Sequence, residues 1–299
     1  MNQRLTPATA LLLTLPPLLW AGNAVVGRLV APLVPPITLN FLRWALAFLF
    51  LLPFAWRVLR PSGPIWPRLR RYAVLGLLGV GCYNALQYLA VKTSTPINVT
   101  LVGSSMPAFM LAMGAAFFGQ RITRRQVAGA LLSIAGVLVV LAQGAVEHLA
   151  QVRFVVGDVY MLLATAAWAL YSWLLSRPGD PPEVRSDWAA FLMAQLVPGL
   201  AWSALFAAAE RSVTTQPIVW GAPLALALLY VAIGPALLAY RCWGLGVQRV
   251  GPNIAGFFSN LTPLFAAVFS AAFLGEPPRA YHAVAFLLII GGIWVSSRR

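Results

Sequence analysis

Residues 115–120 read AAFFGQ and residues 271–276 read AAFLGE, nearly the same string at an offset of 156 residues. The same offset pairs Pro107 with Pro263, and the surrounding segments align without a gap. Self-similarity at a fixed spacing is the signature of a repeated structural unit. The chain is therefore predicted to contain an internal duplication.

The composition predicts a membrane protein rather than a soluble one. Of the 299 residues, 60% are hydrophobic and only 9% are charged, whereas a typical soluble domain is about 25% charged. The mean hydropathy is +0.80. Runs close to the ~20 apolar residues that a helix needs to cross a bilayer recur along the chain. We predict ten transmembrane helices, at residues 8–30, 37–59, 72–92, 97–119, 125–143, 155–175, 187–209, 221–243, 251–274 and 280–296.

The two copies are predicted to lie upside down relative to each other. Each copy contains five predicted helices, and an odd number of crossings places the second copy in the opposite orientation. The loop after AAFFGQ carries Arg121, Arg124 and Arg125, whereas the aligned positions of the second copy are uncharged. We predict an all-α polytopic membrane protein built from two inverted five-helix repeats, residues 1–146 and 147–299.

The net charge of +14 is explained by orientation in the membrane. Basic residues concentrate in cytoplasmic loops. With both termini cytoplasmic, fourteen arginines lie in cytoplasmic loops or termini, against four basic residues outside. We therefore predict that both termini are cytoplasmic, that the lipid bilayer surrounds the helices, and that the chain has no nucleic-acid partner.

Two longer strings resemble a known family. They are SSMPAFMLAMGAAFFGQRITRRQVAGALLSIAGVLVV at residues 104–140 and NLTPLFAAVFSAAFLGEPPRAYHAVAFLLIIGGIWV at residues 260–295. They resemble the EamA-type repeat of the drug/metabolite transporter superfamily, and LLWAGNAVVGRLV and NFLRWALAFLF look like the opening of that repeat. One departure is Gln120, where the family usually has the glutamate that the second copy keeps as Glu276.

The resemblance implies a ten-helix carrier of the bacterial inner membrane with a small-molecule substrate. Many members of this family export amino acids and other metabolites. Among them the chain looks most similar to exporters of neutral and aromatic amino acids.

Polar and aromatic side chains inside the predicted helices are the candidates for a substrate cavity. Polar groups are costly in mid-membrane unless they face a cavity or a partner, although packing between helices alone also uses Asn and Gln. In the third predicted helix, YNALQY places such side chains within an arc of about 140° on one face. The candidates are Trp20, Asn23, Asn40, Arg43, Trp44, Tyr83, Asn84, Gln87, Tyr88, Asn98, Ser104, Ser105, Trp168, Tyr171, Tyr240, Arg241, Trp243, Asn260 and Thr262.

Pro107 and Pro263 are predicted to act as gates. A proline inside a helix frees a carbonyl group and kinks the helix. The hydroxyl and amide side chains just before each proline either contact substrate or satisfy the freed backbone groups. The sequence leaves both roles open.

Arg43 and Arg241, each inside a predicted helix, are the two arginines that are candidates for contact with a substrate. Each is either a positive contact for a substrate carboxylate or a side chain that extends to the membrane surface. The sequence does not decide between these two roles for either arginine.

The positions of acids, cysteines and histidines argue against several other functions. None of the seven acidic residues lies in the middle of a predicted helix, and proton-coupled carriers often use a buried carboxylate there. Glu276, between the last two helices, is predicted to have a structural role. Cys82 and Cys242 have no metal-ligand spacing, so no metal and no cofactor are predicted. A membrane enzyme would need a nucleophile with a base, or metal ligands, inside the helices. An enzyme is therefore not predicted.

The sequence thus predicts a facilitative secondary transporter that works by alternating access. Its predicted substrates are neutral amino acids, including aromatic ones, and related small metabolites, because rings stack on Trp and Tyr. Two alternatives remain open: a carrier of anionic metabolites such as sugar phosphates, and a non-transporting packing subunit of a membrane complex. Whether the chain acts as a monomer or as a homodimer also remains open.

Overall fold

The computed structural model describes residues 5–94, 96–142, 147–150, 153–274 and 279–298, and every regular element in these ranges is helical. Short turns such as Trp56–Leu59 and Pro182–Arg185 connect long helices. We name the long helices α1 (Pro7–Val30), α2 (Pro36–Ala55), α3 (Trp66–Thr93), α4 (Pro96–Gly103 and Met106–Phe118), α5 (Arg124–Ala142), α6 (Val156–Ser176), α7 (Trp188–Val213), α8 (Ala222–Val250), α9 (Pro252–Phe258, Ser259–Leu261 and Thr262–Leu274) and α10 (Ala280–Ser297).

In the described part of the chain, nine helices are long and apolar enough to cross a membrane. The segment α9, which contains a 3₁₀ turn at Ser259–Leu261, is not among them. The predicted all-α architecture with many apolar spans is confirmed, and a tenth span stays a prediction.

Two predicted helix ends are corrected. α7 ends at Val213 and α8 at Val250, whereas the sequence predicts ends at residues 209 and 243. In α7 the helix continues into the polar residues 210–212, and in α8 it continues through Gly244 and Gly246, which are poor helix formers, so the sequence underestimates the length of both helices. As a result Arg241 lies inside α8, well before its end.

Irregular helical segments recur at the repeat offset. Residues Leu77–Cys82 of α3 and Ala232–Leu238 of α8 are π-helical, and a shift of 156 residues places the first segment on the second. The break in α4 at Ser104–Ser105 likewise corresponds to the interruption of α9 at Ser259–Leu261. π-helical segments are rare in proteins, and those that occur often lie at functional sites.

Pro107 and Pro263 each lie in the first turn of the second part of their helix. A proline is tolerated there, because the missing N–H group would have no partner within the helix. The hydroxyl groups of Ser104 and Ser105 donate to carbonyl oxygens three residues earlier. These two serines therefore satisfy the backbone at the break of α4.

α5 and α10 pack backbone against backbone. A Cβ atom at Gly129 would lie 2.6 Å from the Gly292 carbonyl oxygen, and one at Gly136 would lie 2.9 Å from the Ala285 carbonyl oxygen. Small residues permit this close approach of membrane helices. Position 285 is the repeat equivalent of position 129, and position 136 is the equivalent of position 292, since each pair differs by 156 residues. The two contacts are therefore equivalent, as in a two-fold contact.

At each end of the helix bundle, a carboxylate side chain connects segments that lie far apart in the chain. Where α2 begins, the Glu210 carboxylate accepts hydrogen bonds from the backbone N–H groups of Ile37 (3.0 Å) and Thr38 (2.6 Å), which the start of a helix leaves free. Just before α7, Asp180 accepts from Arg71 at 2.8 Å and from Arg185 at 2.9 Å. α7 separates the two carboxylates, and we call these ends of the molecule the Glu210 end and the Asp180 end.

Candidate functional site

Arg43 lies at the centre of a buried polar cluster between α1, α2 and α3. Its side chain is 0% exposed. Its Nη1 donates to the Asn84 Oδ1 at 3.1 Å, to the Tyr88 hydroxyl at 3.3 Å and, at the long distance of 3.5 Å, to the Asn23 Oδ1. We call these four residues the Arg43 cluster. Arg43 is thus enclosed by protein and does not extend to the membrane surface.

The other edge of the Arg43 guanidinium is unpaired. Neither its Nε nor its Nη2 has a hydrogen-bond partner among the residues that the structure describes. The indole N–H groups of Trp44 and Trp168 are also buried and have no hydrogen-bond partner among the described residues. The Trp44 ring centre lies 5.0 Å from the guanidinium carbon of Arg43. A buried donor without an acceptor costs about 1–3 kcal/mol, and more when it is charged. The Oδ1 of Asn40, three residues before Arg43 on α2, is a buried acceptor without a partner in the described part of the chain, so the unpaired donors of this region outnumber its unpaired acceptor.

Aromatic rings surround Trp168, which is 0% exposed. The ring centres of five other residues lie 4.6–5.5 Å from that of Trp168. We call the group the aromatic cluster; its members are Trp168 and Tyr171 of α6, Trp20 of α1, Tyr83 of α3, and Tyr240 and Trp243 of α8. Four helices thus contribute to one buried aromatic centre.

Tyr240 connects the aromatic cluster to the Arg43 cluster. Its ring centre lies 4.8 Å from that of Trp44. Its hydroxyl donates to the Gly79 carbonyl oxygen and accepts from the Asn84 Nδ2 at 3.4 Å. Asn84 and Tyr240 are 156 residues apart, so equivalent positions of the two copies meet here.

The π-helical segments supply acceptors to these side chains. In α3 the Gly79 carbonyl accepts from Tyr240, and the Val80 carbonyl accepts from the Asn40 amide at 3.0 Å. In α8 the Pro235 carbonyl accepts from the Trp20 indole at 3.4 Å. A wider helical turn shifts the pattern of backbone hydrogen bonds and leaves carbonyl groups available to side chains. The irregular segments therefore hold the centre of the site in place.

A small pocket opens beside the aromatic cluster, between α6, α7 and α8. Tyr171 and Tyr240 line it, and the Tyr171 hydroxyl donates to the Gln195 Oε1 at 2.9 Å. Arg185 and Arg241 also line it, and Arg185 is held by Asp180. The pocket therefore lies towards the Asp180 end, and its lining includes two cationic side chains.

Some predicted cavity residues have other partners in the structure. Asn98 donates to the Asp158 carboxylate at 2.7 Å, near the start of α6. The Asn260 amide donates to the Ser104 carbonyl at 3.2 Å and to the Ser133 hydroxyl at 2.9 Å. These contacts lie between helices and do not involve the Arg43 or aromatic clusters.

The remaining candidates lie nearer the surface or next to the pocket. Gln87 and Thr262 are half-buried. Arg241 is exposed, and its guanidinium carbon lies 4.8 Å from the centre of the Trp188 ring. Glu276 lies outside the described residues, so its structural role stays a prediction.

Sequence reasoning did not select Gln195 or Ser172. Gln195 is a buried amide within the apolar run of α7, and its Nε2 donates to the Phe191 carbonyl. The Ser172 hydroxyl accepts from the Trp243 indole at 3.0 Å. A polar residue surrounded by apolar ones was the available signal for Gln195, whereas the role of Ser172 depends on a contact with another helix.

Residues 8–142 and 155–298 each match the model of the EamA-like transporter family. The chain belongs to the EamA-like transporter family. It is 28% identical to a probable amino-acid metabolite efflux pump of Salmonella typhimurium over 93% of this chain and 90% of that protein. It is 26% identical to the aromatic amino acid exporter YddG of Ancylobacter novellus over 80% of this chain and 78% of that protein. A solved crystal structure with 24% identity matches 96% of each chain with a TM-score of 0.72, which supports the fold.

Membership of the EamA-like family shows that the protein is a multi-pass membrane transporter and not an enzyme. Among the described residues, no group of three or more His, Cys, Asp or Glu side chains could hold a metal ion. The buried clusters and the pocket are therefore candidates for parts of a transport pathway.

Proposed function

We propose that this EamA-like transporter exports neutral amino acids, including aromatic ones, and related small metabolites across the bacterial inner membrane. The observation that carries the proposal is the aromatic cluster around Trp168, which lies beside the pocket. Trp and Tyr rings offer a large apolar surface and preferred offset or edge-to-face contacts for another ring. The similarity to a probable amino-acid metabolite efflux pump of Salmonella typhimurium and to an aromatic amino acid exporter of Ancylobacter novellus supports an amino acid as the substrate.

The proposed mechanism is alternating access between two inverted repeats, residues 1–146 and 147–299. Two observations support this arrangement. The π-helical segments of α3 and α8 match at the repeat offset, and the contacts between α5 and α10 are reciprocal at the same offset. Inverted repeats that rock against each other expose a central site to each side in turn. The half-helices that begin near Pro107 and Pro263 are the proposed gates.

The described contacts fit a state that is open towards the cytoplasm. The pocket lies towards the Asp180 end, which is the cytoplasmic side if both termini are cytoplasmic. At the Glu210 end, the Val219 N–H donates to the Leu33 carbonyl at 2.8 Å and the Gln216 amide donates to the Ala31 carbonyl at 2.8 Å. An exporter would load its substrate in such a state.

Transport by the purified protein in liposomes tests the proposal. Vesicles loaded with phenylalanine are assayed for counterflow uptake of labelled phenylalanine, methionine, threonine, lysine and glutamate, with and without a pH gradient. We expect saturable uptake of the neutral amino acids that does not depend on the gradient. In a parallel assay, vesicles loaded with a sugar phosphate are tested for uptake of the labelled sugar phosphate; uptake there without uptake of any amino acid would contradict the proposal in favour of an anion carrier.

A pair of tryptophan variants links uptake to the aromatic cluster. Trp168→Ala removes the buried central ring, whereas Trp294→Ala removes a ring of α10 that is 53% exposed. We expect Trp168→Ala to lower phenylalanine uptake about tenfold or more, because it removes the ring against which the pocket-lining Tyr171 and Tyr240 pack. Trp294→Ala should leave uptake within about twofold, since surface substitutions have small effects. Equal effects of the two variants would count against a substrate role of the cluster.

A further inference from the structure

The guanidinium of Arg43 is fully buried, and only one of its two edges is hydrogen-bonded by the residues that the structure describes. Its Nη1 is held by oxygens of Asn23, Asn84 and Tyr88. Its Nε and Nη2 lie on the opposite edge and have no partner in the described part of the chain. In arginine these two nitrogens form the side-on fork whose spacing matches the two oxygens of a carboxylate.

The surroundings of this edge favour an anion. The hydrogen-bond partners of Arg43 within the described residues are two amides and a phenol, all neutral. The Trp44 ring makes a cation–π contact with the guanidinium at 5.0 Å, and its indole N–H is a further unpaired donor. An uncompensated buried charge is strongly unfavourable, and a partner of opposite charge relieves that cost. The missing partner is therefore an acceptor that carries a negative charge.

The neighbouring aromatic cluster limits what else this anion can carry. Tyr240 contacts both the Arg43 cluster, through Asn84, and the rings around Trp168. The Trp44 ring centre lies 5.0 Å from the guanidinium carbon and 4.8 Å from the Tyr240 ring centre, so aromatic rings extend from the guanidinium to the rings around Trp168. A compact carboxylate with an apolar or aromatic side chain satisfies both halves of the site.

We propose that the Nε and Nη2 edge of Arg43 binds the carboxylate of the transported amino acid, with Asn23, Asn84 and Tyr88 holding the guanidinium in position. This inference rests on the proposed export of neutral amino acids and identifies the group of the substrate that the protein recognises. It also distinguishes Arg43 from Arg241. The latter is exposed against Trp188 and lies beside the pocket.

Binding in detergent tests the carboxylate site without requiring transport. The probes are phenylalanine, 3-phenylpropionate, which keeps the ring and carboxylate but lacks the amine, and phenylalaninamide, which lacks the carboxylate. A ligand that binds the folded state raises the midpoint of thermal unfolding. We expect the two carboxylates to stabilise the protein and phenylalaninamide to have no effect. Equal stabilisation by phenylalaninamide would overturn the carboxylate site, and this comparison needs no variant.

Variants of Arg43 test whether the binding of the carboxylates depends on this residue. Arg43→Gln removes the charge, Arg43→Lys keeps the charge without the fork, and Arg249→Gln is the matched change at an exposed arginine of α8. Because a hydrogen bond to a charged group contributes about 1.5–3 kcal/mol, Arg43→Gln should weaken binding about tenfold to a hundredfold. Arg43→Lys should restore only part of the affinity, and Arg249→Gln should match the unmodified protein. Unchanged binding in Arg43→Gln would overturn the inference.

The two proposals fail in distinguishable ways. If phenylalanine enters proteoliposomes and Arg43→Gln transports it as well as Arg249→Gln does, export stands and the carboxylate site is wrong. If no amino acid enters but 3-phenylpropionate stabilises the protein only when Arg43 is present, the carboxylate site stands. In that case the proposed amino acid export is wrong.

Discussion

The oxygen and the nitrogen of the Asn84 side-chain amide both form hydrogen bonds in the candidate site. Its Oδ1 accepts from Arg43 at 3.1 Å, and its Nδ2 donates to the Tyr240 hydroxyl at 3.4 Å. Because that hydroxyl already donates to a backbone carbonyl, the amide orientation is consistent at both ends. A neutral side chain at this position leaves the positive charge of Arg43 available for a ligand.

Asn84→Asp would place a permanent carboxylate next to Arg43. We expect it to lower phenylalanine uptake about tenfold or more without loss of the folded protein, because an internal ion pair competes with the substrate carboxylate. The measurements are proteoliposome uptake and the midpoint of thermal unfolding. Asn84→Ser, which removes the amide but adds no charge, should retain more uptake than Asn84→Asp. Equal loss in the two variants would show that the amide matters and the charge does not.

At the scale of helices, α5 and α10 form a close backbone contact. A Cβ atom at Gly292 would lie 2.6 Å from the Gly129 carbonyl oxygen and 3.0 Å from the Ser133 backbone nitrogen. At the adjacent Gly291, a Cβ atom would have no atom within 4 Å. Two neighbouring glycines of one helix thus differ in whether packing requires them.

Gly292→Ala should lower the stability of the protein, whereas Gly291→Ala should not. Overpacking a close contact typically costs about 1–3 kcal/mol, while alanine at an open helical position is favoured over glycine by up to about 1 kcal/mol. The midpoints of thermal unfolding of the two purified variants provide the measurement. A drop of similar size in both would mean that the contact between α5 and α10 is not the cause.

At the scale of the whole molecule, Asp180 joins the first half of the chain to the second. Burial alone would raise the pKa of Asp180, but hydrogen bonds and charges from Arg71 of α3 and from Arg185 outweigh it and hold the pKa below its ordinary value of 3.8. A depressed folded-state pKa means that the carboxylate contributes stability above the ordinary pKa. This contribution is lost as the pH falls through the folded-state value.

Asp180→Asn should lower the midpoint of thermal unfolding at pH 7, and the difference from the unmodified protein should shrink as the pH falls below about 4. Glu183→Gln, which removes an exposed acid from the same connection, is the matched control. The control should change the midpoint little at any pH. A difference for Asp180→Asn that stays constant down to pH 3 would contradict the role of the ionised carboxylate.

The sequence alone determined the all-helical architecture with many apolar spans and the resemblance to the EamA-type repeat. It could do so because hydropathy, loop charge and the offset of 156 residues are properties of the linear chain. It also selected every member of the Arg43 cluster and of the aromatic cluster, since polar and aromatic residues inside apolar runs stand out without any knowledge of their neighbours.

Only the tertiary structure decided which candidates meet. The rotation per residue in the π-helical segment Leu77–Cys82 differs from the 100° of an α-helix. A face assigned at 100° per residue therefore does not continue across this segment. Arg43 and Arg241 look alike in sequence, yet one is enclosed by oxygens of other helices and the other is exposed. Likewise Ser104 satisfies its own helix and Asn98 bonds to Asp158. Partners that lie far apart along the chain decide these roles, and local pattern contains no information about them.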